Sequence, residues 1–373
     1  MPAELHRETV DVAHVGVAGL RGGSGDTRPR GRRVPFVVLQ CGGGLRPIPG
    51  AECVCEHKPY TLVLVDEAQD LNDANHLFLR RCVSPVGAST VVCAVGDPAQ
   101  SIYQFRGVHP DALGRLRRMF DATPLQLTCC FRCPRRIVSV AAHLHPSIRA
   151  SPDAALGTIQ IHKVTDAWKT LEKTVHWVPP EESVLFVART NRHILNLVVH
   201  LYHQPADSLL RGRGVRWAAP VILNELNALM QRNTTDCAIQ TVIEDSHLDD
   251  SRSPLDGVLV LLLQTALQVD GQETELHDSS FLAFVTELLT VKQSNVTLAT
   301  IHASKGAEHD HVVVYQYNLI GGTPDDGQER NLLYIAVTRA RKTLTFLLHG
   351  RSQHVPSALL PCDIIQFSGI MVE

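Results

Sequence analysis

Asp66 and Glu67 stand side by side directly after the apolar run Thr61-Leu62-Val63-Leu64-Val65, and Gln69 and Asp70 follow. A carboxylate at the carboxyl end of a strand can hold Mg²⁺ directly or through water. Its neighbour can polarise a water for attack on phosphorus. A solvated acidic turn is the plain alternative, and the apolar strand ahead argues against it. A second apolar run, at 90–95, ends in Gly96-Asp97-Pro98-Ala99-Gln100. Gly96 permits a tight turn and Asp97-Pro98 fixes the loop start. A glutamine at 100 can reach a terminal phosphate or the attacking water. Tyr103, Phe105 and Arg106 come next. Two rings beside an arginine suit the stacking of unpaired bases, at about 1–3 kcal/mol per base. The same rings also fit core positions. Two strand ends of this kind read as parts of a machine driven by a nucleoside triphosphate.

Positioning such groups takes parallel strands with helices between them. Strands are expected at 61–65, 90–95 and 125–128, with helices at 111–120 and from Pro134 towards His143. Apolar strands without polar alternation, separated by helices, argue for a parallel sheet covered on both faces. The pattern resumes with strands at 157–161 and 183–188 and a helix at 194–202. It then turns mixed and mostly helical from about Arg211 to Ser294. Strands return at 296–301, 312–315 and 344–347, with a helix at 329–338. An α/β unit interrupted and resumed implies an insertion.

The chain has 373 residues, enough for two or three domains. It is 44% hydrophobic and 20% charged, with a formal net charge of −3. That is the balance of a core-forming protein and excludes a histone-like basic binder, while leaving room for a local basic groove. The longest aliphatic run, 258–263, is far short of the roughly 20 apolar residues a membrane span needs, so no membrane partner is expected. No secretory signal is visible at Met1-Pro2-Ala3-Glu4. Of the ten cysteines, Cys82 and Cys93 lie in apolar surroundings where buried, reduced thiols are expected. Residues 1–57 are rich in Gly, Arg and Pro and read as an irregular segment with one short strand at 35–40. Its run Arg28-Pro29-Arg30-Gly31-Arg32-Arg33 suits a nuclear address, a phosphate patch or a solvated tail.

The segments Asp66-Glu67-Ala68-Gln69-Asp70 and Val95-Gly96-Asp97-Pro98-Ala99-Gln100-Ser101-Ile102-Tyr103-Gln104-Phe105-Arg106-Gly107 resemble motifs II and III of the UvrD/Rep/PcrA superfamily 1 DNA helicases. Four further segments agree in order. Leu127-Thr128-Cys129-Cys130-Phe131-Arg132-Cys133-Pro134 is similar to motif IV, and Val187-Ala188-Arg189-Thr190-Asn191 to motif IVa. Val296-Thr297-Leu298-Ala299-Thr300-Ile301-His302-Ala303-Ser304-Lys305-Gly306-Ala307-Glu308 is similar to motif V. Asn331-Leu332-Leu333-Tyr334-Ile335-Ala336-Val337-Thr338-Arg339-Ala340-Arg341 is similar to motif VI. The wording of motifs III and VI leans towards the F-box-type DNA helicases and viral relatives.

The resemblance implies two RecA-like α/β domains of the P-loop NTPase type, using ATP and Mg²⁺ on single-stranded DNA or DNA junctions. It implies Asp66 as Mg²⁺ ligand, Glu67 as activator of water and Gln100 as γ-phosphate sensor. Arg132 and Arg339 would clamp that phosphate, a role suited to the forked guanidinium. Phe131 would stack on adenine, Glu308 would hold the ribose, and Gly306 belongs to the same nucleotide-binding segment. Tyr103, Phe105, Arg106, Asn191 and His302 would line the strand path. The domains implied are a truncated 1A at 58–152, a 2A at 153–210 and 291–373, and a reduced 2B-like insertion at 211–290. Replication or repair proteins, or an N-terminal helicase half, are the implied protein partners. A nucleus or other DNA-containing compartment is the implied location, not secretion. Departures are Cys130 where Asn is usual, Phe131 for Tyr, Phe105 for Trp, Ala307 for Leu, and His309 for an apolar residue.

No Gly-Lys-Ser/Thr phosphate loop occurs in the chain. The nearest candidate, Gly19-Leu20-Arg21-Gly22-Gly23-Ser24-Gly25-Asp26-Thr27, has the wrong spacing and puts Asp26 where a lysine would attract phosphate. Little or no ATP turnover is therefore expected of this chain alone. It is expected to be a C-terminal helicase portion, with a non-catalytic DNA- or partner-binding remnant, or one half of a split helicase, as alternatives. Cys53, Cys55 and His57 offer three metal ligands without a fourth at zinc spacing. Cys129, Cys130 and Cys133 are expected as reduced thiols.

Overall fold

The computed structural model describes residues 36–40, 62–83, 90–164, 167–205, 207–232, 265, 280–292, 294–315, 327–349 and 371–372. The glycine loop at 19–27, the Cys53/Cys55/His57 group and most of the expected insertion lie outside them. The chain divides into two compact units, Met1–Leu127 and Thr128–Glu373.

The first unit holds a three-stranded parallel sheet in the order β1 (Phe36–Gln40), β2 (Leu62–Asp66), β3 (Val91–Ala94). Helices α1 (Asp73–Val83) and α2 (Ala112–Phe120) accompany it. Asp111 accepts the Gly114 N–H at 3.1 Å and starts α2; Asp121, in the left-handed region, ends it. Val63 and Val65 bury against Leu71, Leu79, Ala112 and Leu116. Burial on β2 alternates, and most of β3 is exposed, with Val91 at 59%. On β2 and β3 the expectation of cover on both faces thus holds for only one face. Cys93, expected buried, is exposed on the same strand.

The second unit is built on a seven-stranded, all-parallel sheet. It contains β6 (Thr158–Val164), β7 (Val184–Ala188), β8 (Val215–Ala218), β9 (Val296–Thr300), β10 (His309–Tyr315), β11 (Ala340–His349) and β12 (Met371–Val372). Their order is β12-β6-β11-β10-β7-β9-β8. Every residue of β7 is buried, as a central parallel strand with both faces covered must be. Helices α5 (Asn191–Tyr202), α7 (Pro220–Arg232) and α8 (Ser280–Thr290) share one core with it, around Phe186, Trp217 and Phe281. The two-domain α/β class is therefore as expected.

Three local expectations differ from the structure. No strand forms at 125–128: Leu125 and Leu127 are 90% and 95% exposed and pair with no strand among the described residues. The chain pairs only over the next two residues, β4 (Cys129–Cys130) against β5 (Arg149–Ala150). Residues 128–152, grouped above with the first domain, make their contacts in the second unit, where α3 (Arg135–Leu144) packs on α9 (Gly327–Val337). Residues 215–218, placed above in the insertion, pair with β9 as the edge of the main sheet, and α8 packs on them.

Candidate nucleotide and single-strand site

In the first unit the groups at the ends of β2 and β3 are wired to one another. Glu67 sits in the left-handed region, φ 52° and ψ 41°. For a non-glycine residue this conformation costs on the order of 1–3 kcal/mol and persists where the surroundings enforce it. The Glu67 N–H donates to Asp66 Oδ1 at 2.9 Å. Gln69 Nε2 donates to Glu67 Oε2 at 2.5 Å, and Gln69 Oε1 accepts the Asp97 N–H at 3.0 Å. One buried amide thus orients the carboxylate after β2 and fixes the loop after β3. The sequence reading gave Gln69 no role. Its signal was an amide set between two acidic strand ends. Gly96 is required by closeness: a Cβ there would lie 2.5 Å from Gln69 Oε1 and 3.0 Å from the Gln69 backbone nitrogen. Asp97 caps the turn through the Ala99 N–H at 2.9 Å and accepts Gln100 Nε2 at 2.9 Å. Asp66 is exposed; Glu67 and Gln100 are half-buried.

Tyr103, Phe105 and Arg106 form a surface cluster. The Arg106 guanidinium lies 5.0 Å from the Tyr103 ring centre and 5.5 Å from that of Phe105. The two rings meet edge to face at 6.1 Å. Phe105 is 65% exposed, so the core alternative for it falls.

In the second unit Arg132, Glu308 and Arg339 come together from three segments. Arg132 Nε donates to Glu308 Oε1 at 2.5 Å, and its Nη1 donates to the Thr338 carbonyl at 3.3 Å. Arg339 is 1% exposed. Its Nε donates to the Ile335 carbonyl at 3.1 Å, Nη1 to that of Ala307 at 3.2 Å, and Nη2 to Thr338 Oγ1 at 3.1 Å. Burial, then the Arg132 charge, bring Arg339 down to about 10, so it stays cationic at neutral pH. Two guanidinium groups on one threonine, with Glu308 against one of them, form a concentrated positive site suited to an anion.

Phe131 is 82% exposed beside Arg132, free to stack on a planar ligand. Gly306 adopts φ 83°, left-handed and exposed. Segment 301–308 carries the chain from the carboxyl end of β9 back to the amino end of the parallel β10. His302 therefore belongs to the carboxyl-end side and Glu308 to the amino-end side. Asn191 opens α5 just after the carboxyl end of β7, so the structure separates Asn191 and His302 from Glu308 and Arg339, which lie at strand amino ends. Sequence reasoning also missed a clamp beside Asn191: Arg189 grips Glu329 of α9 with three contacts of 2.6–3.2 Å.

Among the described residues no group of three or more His, Cys, Asp or Glu could hold a metal ion by itself, and no helix is long and apolar enough to cross a membrane. Mg²⁺ needs only one or two carboxylates when waters and phosphates complete its shell. The exposed Asp66 beside Glu67 fits that demand.

Two family models match the chain. The UvrD/REP helicase N-terminal domain covers residues 55–121, and the UvrD-like helicase C-terminal domain covers 295–347. The first match contains Asp66, Glu67, Gln100 and the Tyr103 cluster; the second contains His302, Gly306, Glu308 and Arg339. Arg132, Phe131 and Asn191 lie outside both. The chain is 35% identical over 83 residues to "Putative ATP-dependent DNA helicase YjcD" of Bacillus subtilis (strain 168), covering 22% of this chain and 10% of that protein. It is 23% identical over 393 aligned residues to "Probable DNA helicase II homolog" of Mycoplasma pneumoniae, covering 78% of this chain and 54% of that protein. The chain thus spans about half, or less, of the length of these relatives.

Proposed function

We propose that this chain, two segments of which are similar to the UvrD/REP helicase N-terminal and UvrD-like helicase C-terminal domains, carries the nucleotide-reading and strand-gripping portion of an ATP-dependent DNA helicase that tracks single strands 3′ to 5′. The family generally uses ATP with Mg²⁺. The observation that carries the nucleotide reading is the meeting of Arg132 and Arg339 at Thr338, with exposed Phe131 alongside. In the structure Glu308 supplies the anion beside Arg132, and a phosphate oxygen suits the same guanidinium fork. Bound Mg²⁺ would supply charge neutralisation on the phosphates, held through Asp66. Glu67, oriented by Gln69, would accept a proton from the attacking water, and Gln100 would report on the terminal phosphate. Within the second unit, Arg132 would leave Glu308 for a nucleotide phosphate, and Glu308 would then be released to a ribose hydroxyl.

The chain contains no Gly-Lys-Ser/Thr loop, so nucleotide binding without sustained turnover is the expected behaviour. A fluorescent adenine nucleotide titrated in the presence of Mg²⁺ tests this. Binding should weaken about tenfold to a hundredfold in Arg132→Ala, the loss of a charged hydrogen bond worth about 1.5–3 kcal/mol. Equal affinity in wild type and variant would remove the assignment. Steady DNA-stimulated turnover, abolished by Glu67→Gln, would overturn the expectation of inactivity. A second reading, single-strand binding without nucleotide, is favoured by the exposed Tyr103, Phe105 and Arg106 cluster, which needs no phosphate to form. Oligonucleotide affinity unchanged by nucleotide would select it.

A further inference from the structure

Cys130 and Cys133 have no part in that reading. Cys130 ends β4 and Pro134 caps α3, so Cys130-Phe131-Arg132-Cys133 forms a tight turn running into a helix N-terminus. The Cys133 N–H donates to Cys130 Sγ at 3.5 Å. The single thiol proton of Cys133 has two acceptors in reach, the Thr338 carbonyl at 3.5 Å and the Cys130 sulfur. The two sulfurs are therefore neighbours across one turn, and both are free thiols.

Their exposures differ in a way that sets an order of reaction. Cys130 is half-buried, open to a reagent from solvent, whereas Cys133 is 1% exposed. The hydrogen bond from Cys133 outweighs burial and, with the Cys133 and Arg132 N–H groups and the Arg132 charge, brings the Cys130 thiol down to about 5. The same contact and its burial push Cys133 up. A low-pKa sulfur in front of a buried thiol, at a helix N-terminus and beside arginine, is the arrangement that makes a two-cysteine turn reactive. Cys129, the third cysteine of the run, is exposed and completes no metal site among the described residues.

We propose that Cys130 and Cys133 are a thiol–disulfide exchange pair, with Cys130 the attacking sulfur and Cys133 the resolving one, and a small disulfide such as oxidised glutathione as oxidant. The Cys130 thiolate attacks one sulfur of the small disulfide, whose S–S bond breaks, and one thiolate leaves and takes up a proton. Cys130 now carries a mixed disulfide. Cys133 gives up its proton and attacks Cys130 Sγ, and the second small thiol departs with a proton. Two cysteines lose two electrons, and one small disulfide gains them as two thiols. Closure removes the Cys133 S–H that donates to the Thr338 carbonyl, the acceptor Arg132 also uses. The proposal concerns sulfur chemistry and stands whether or not Arg132 meets a phosphate.

The test uses the full reduced chain, incubated with oxidised glutathione near neutral pH, quenched with acid and alkylated. An aspartate-directed protease then releases 121–152 in one piece, and mass spectrometry locates each modification. The expected result is a loss of two hydrogens across Cys130 and Cys133, with Cys129 alkylated. Cys133→Ser should trap glutathione on Cys130, and Cys130→Ser should leave Cys133 without it. Full alkylation of Cys130 and Cys133 while Cys93 or Cys129 takes up glutathione overturns the proposal. So does a disulfide joining Cys129 to Cys130. The wild-type map decides the matter even if a variant folds poorly.

Discussion

The two units divide the chemistry and the architecture unequally. In the first, burial on β2 alternates and β3 is largely exposed, yet its polar groups are locked into one network through Gln69. In the second, a seven-stranded sheet has a fully buried centre, yet its key cation, Arg339, spends its donors on its own backbone and Thr338. Order in a site therefore does not follow from depth of core. The first unit holds its geometry with hydrogen bonds and a strained backbone at Glu67. The second holds its geometry with packing, and Arg132 and Arg339 are both bonded to protein partners.

Substitutions can break this contrast. The largest effect should come from Phe186→Ala, fully buried in the second unit's core, at about 3–5 kcal/mol. Urea unfolding monitored by circular dichroism should show the loss in the transition of that unit, with the first unit's network retained. Arg189→Ala should follow. It strands Glu329, whose side chain is only 13% exposed, and should cost about 2 kcal/mol, the range of a hydrogen bond to a charged group. A loss under half that would mean Glu329 finds water or another partner.

Gly96→Ala tests the first unit. The added methyl meets the Gln69 amide and backbone, an overpacking cost of about 1–3 kcal/mol. It should impair nucleotide binding more than its stability cost alone explains, because Gln69 also fixes Asp97, which holds Gln100. Lys342→Ala should change stability least. It loses ion pairs of an exposed ammonium to Glu182 and Asp310, and solvent screens such pairs.

The strands β2, β7, β9 and β10 were legible because each is a short apolar run closed by polar residues. Asp66, Glu67 and Gln100 stand out in the sequence by type and spacing, whereas Arg132 and Arg339 stand out only through the resemblance to the helicase motifs. Strand β8 was missed because Val215 to Ala218 alternates with Arg216 and follows a short helix, so nothing local distinguishes it from an insertion. The strand expected at 125–128 failed for the opposite reason. Leu125 and Leu127 have the composition of a strand, but pairing needs a neighbour that local sequence does not supply. The one-sided burial of β2 and β3 was also hidden, since an apolar run does not say how many of its faces are packed. Gln69 lay inside a quoted motif, yet its role depends on Asp97, 28 positions away, which no local pattern reveals.

The most direct test of the central claim measures single-strand binding and ATP turnover on one preparation. A labelled oligonucleotide is titrated with the purified chain while phosphate release is followed. The expected result is saturable binding, weakened by about 1–3 kcal/mol in Phe105→Ala, with phosphate release at the level of a protein-free control. Absence of binding, or binding indifferent to Phe105 and Arg106, contradicts the strand-gripping assignment. Sustained phosphate release that Glu67→Gln abolishes contradicts the claim that this chain reads nucleotide without turning it over.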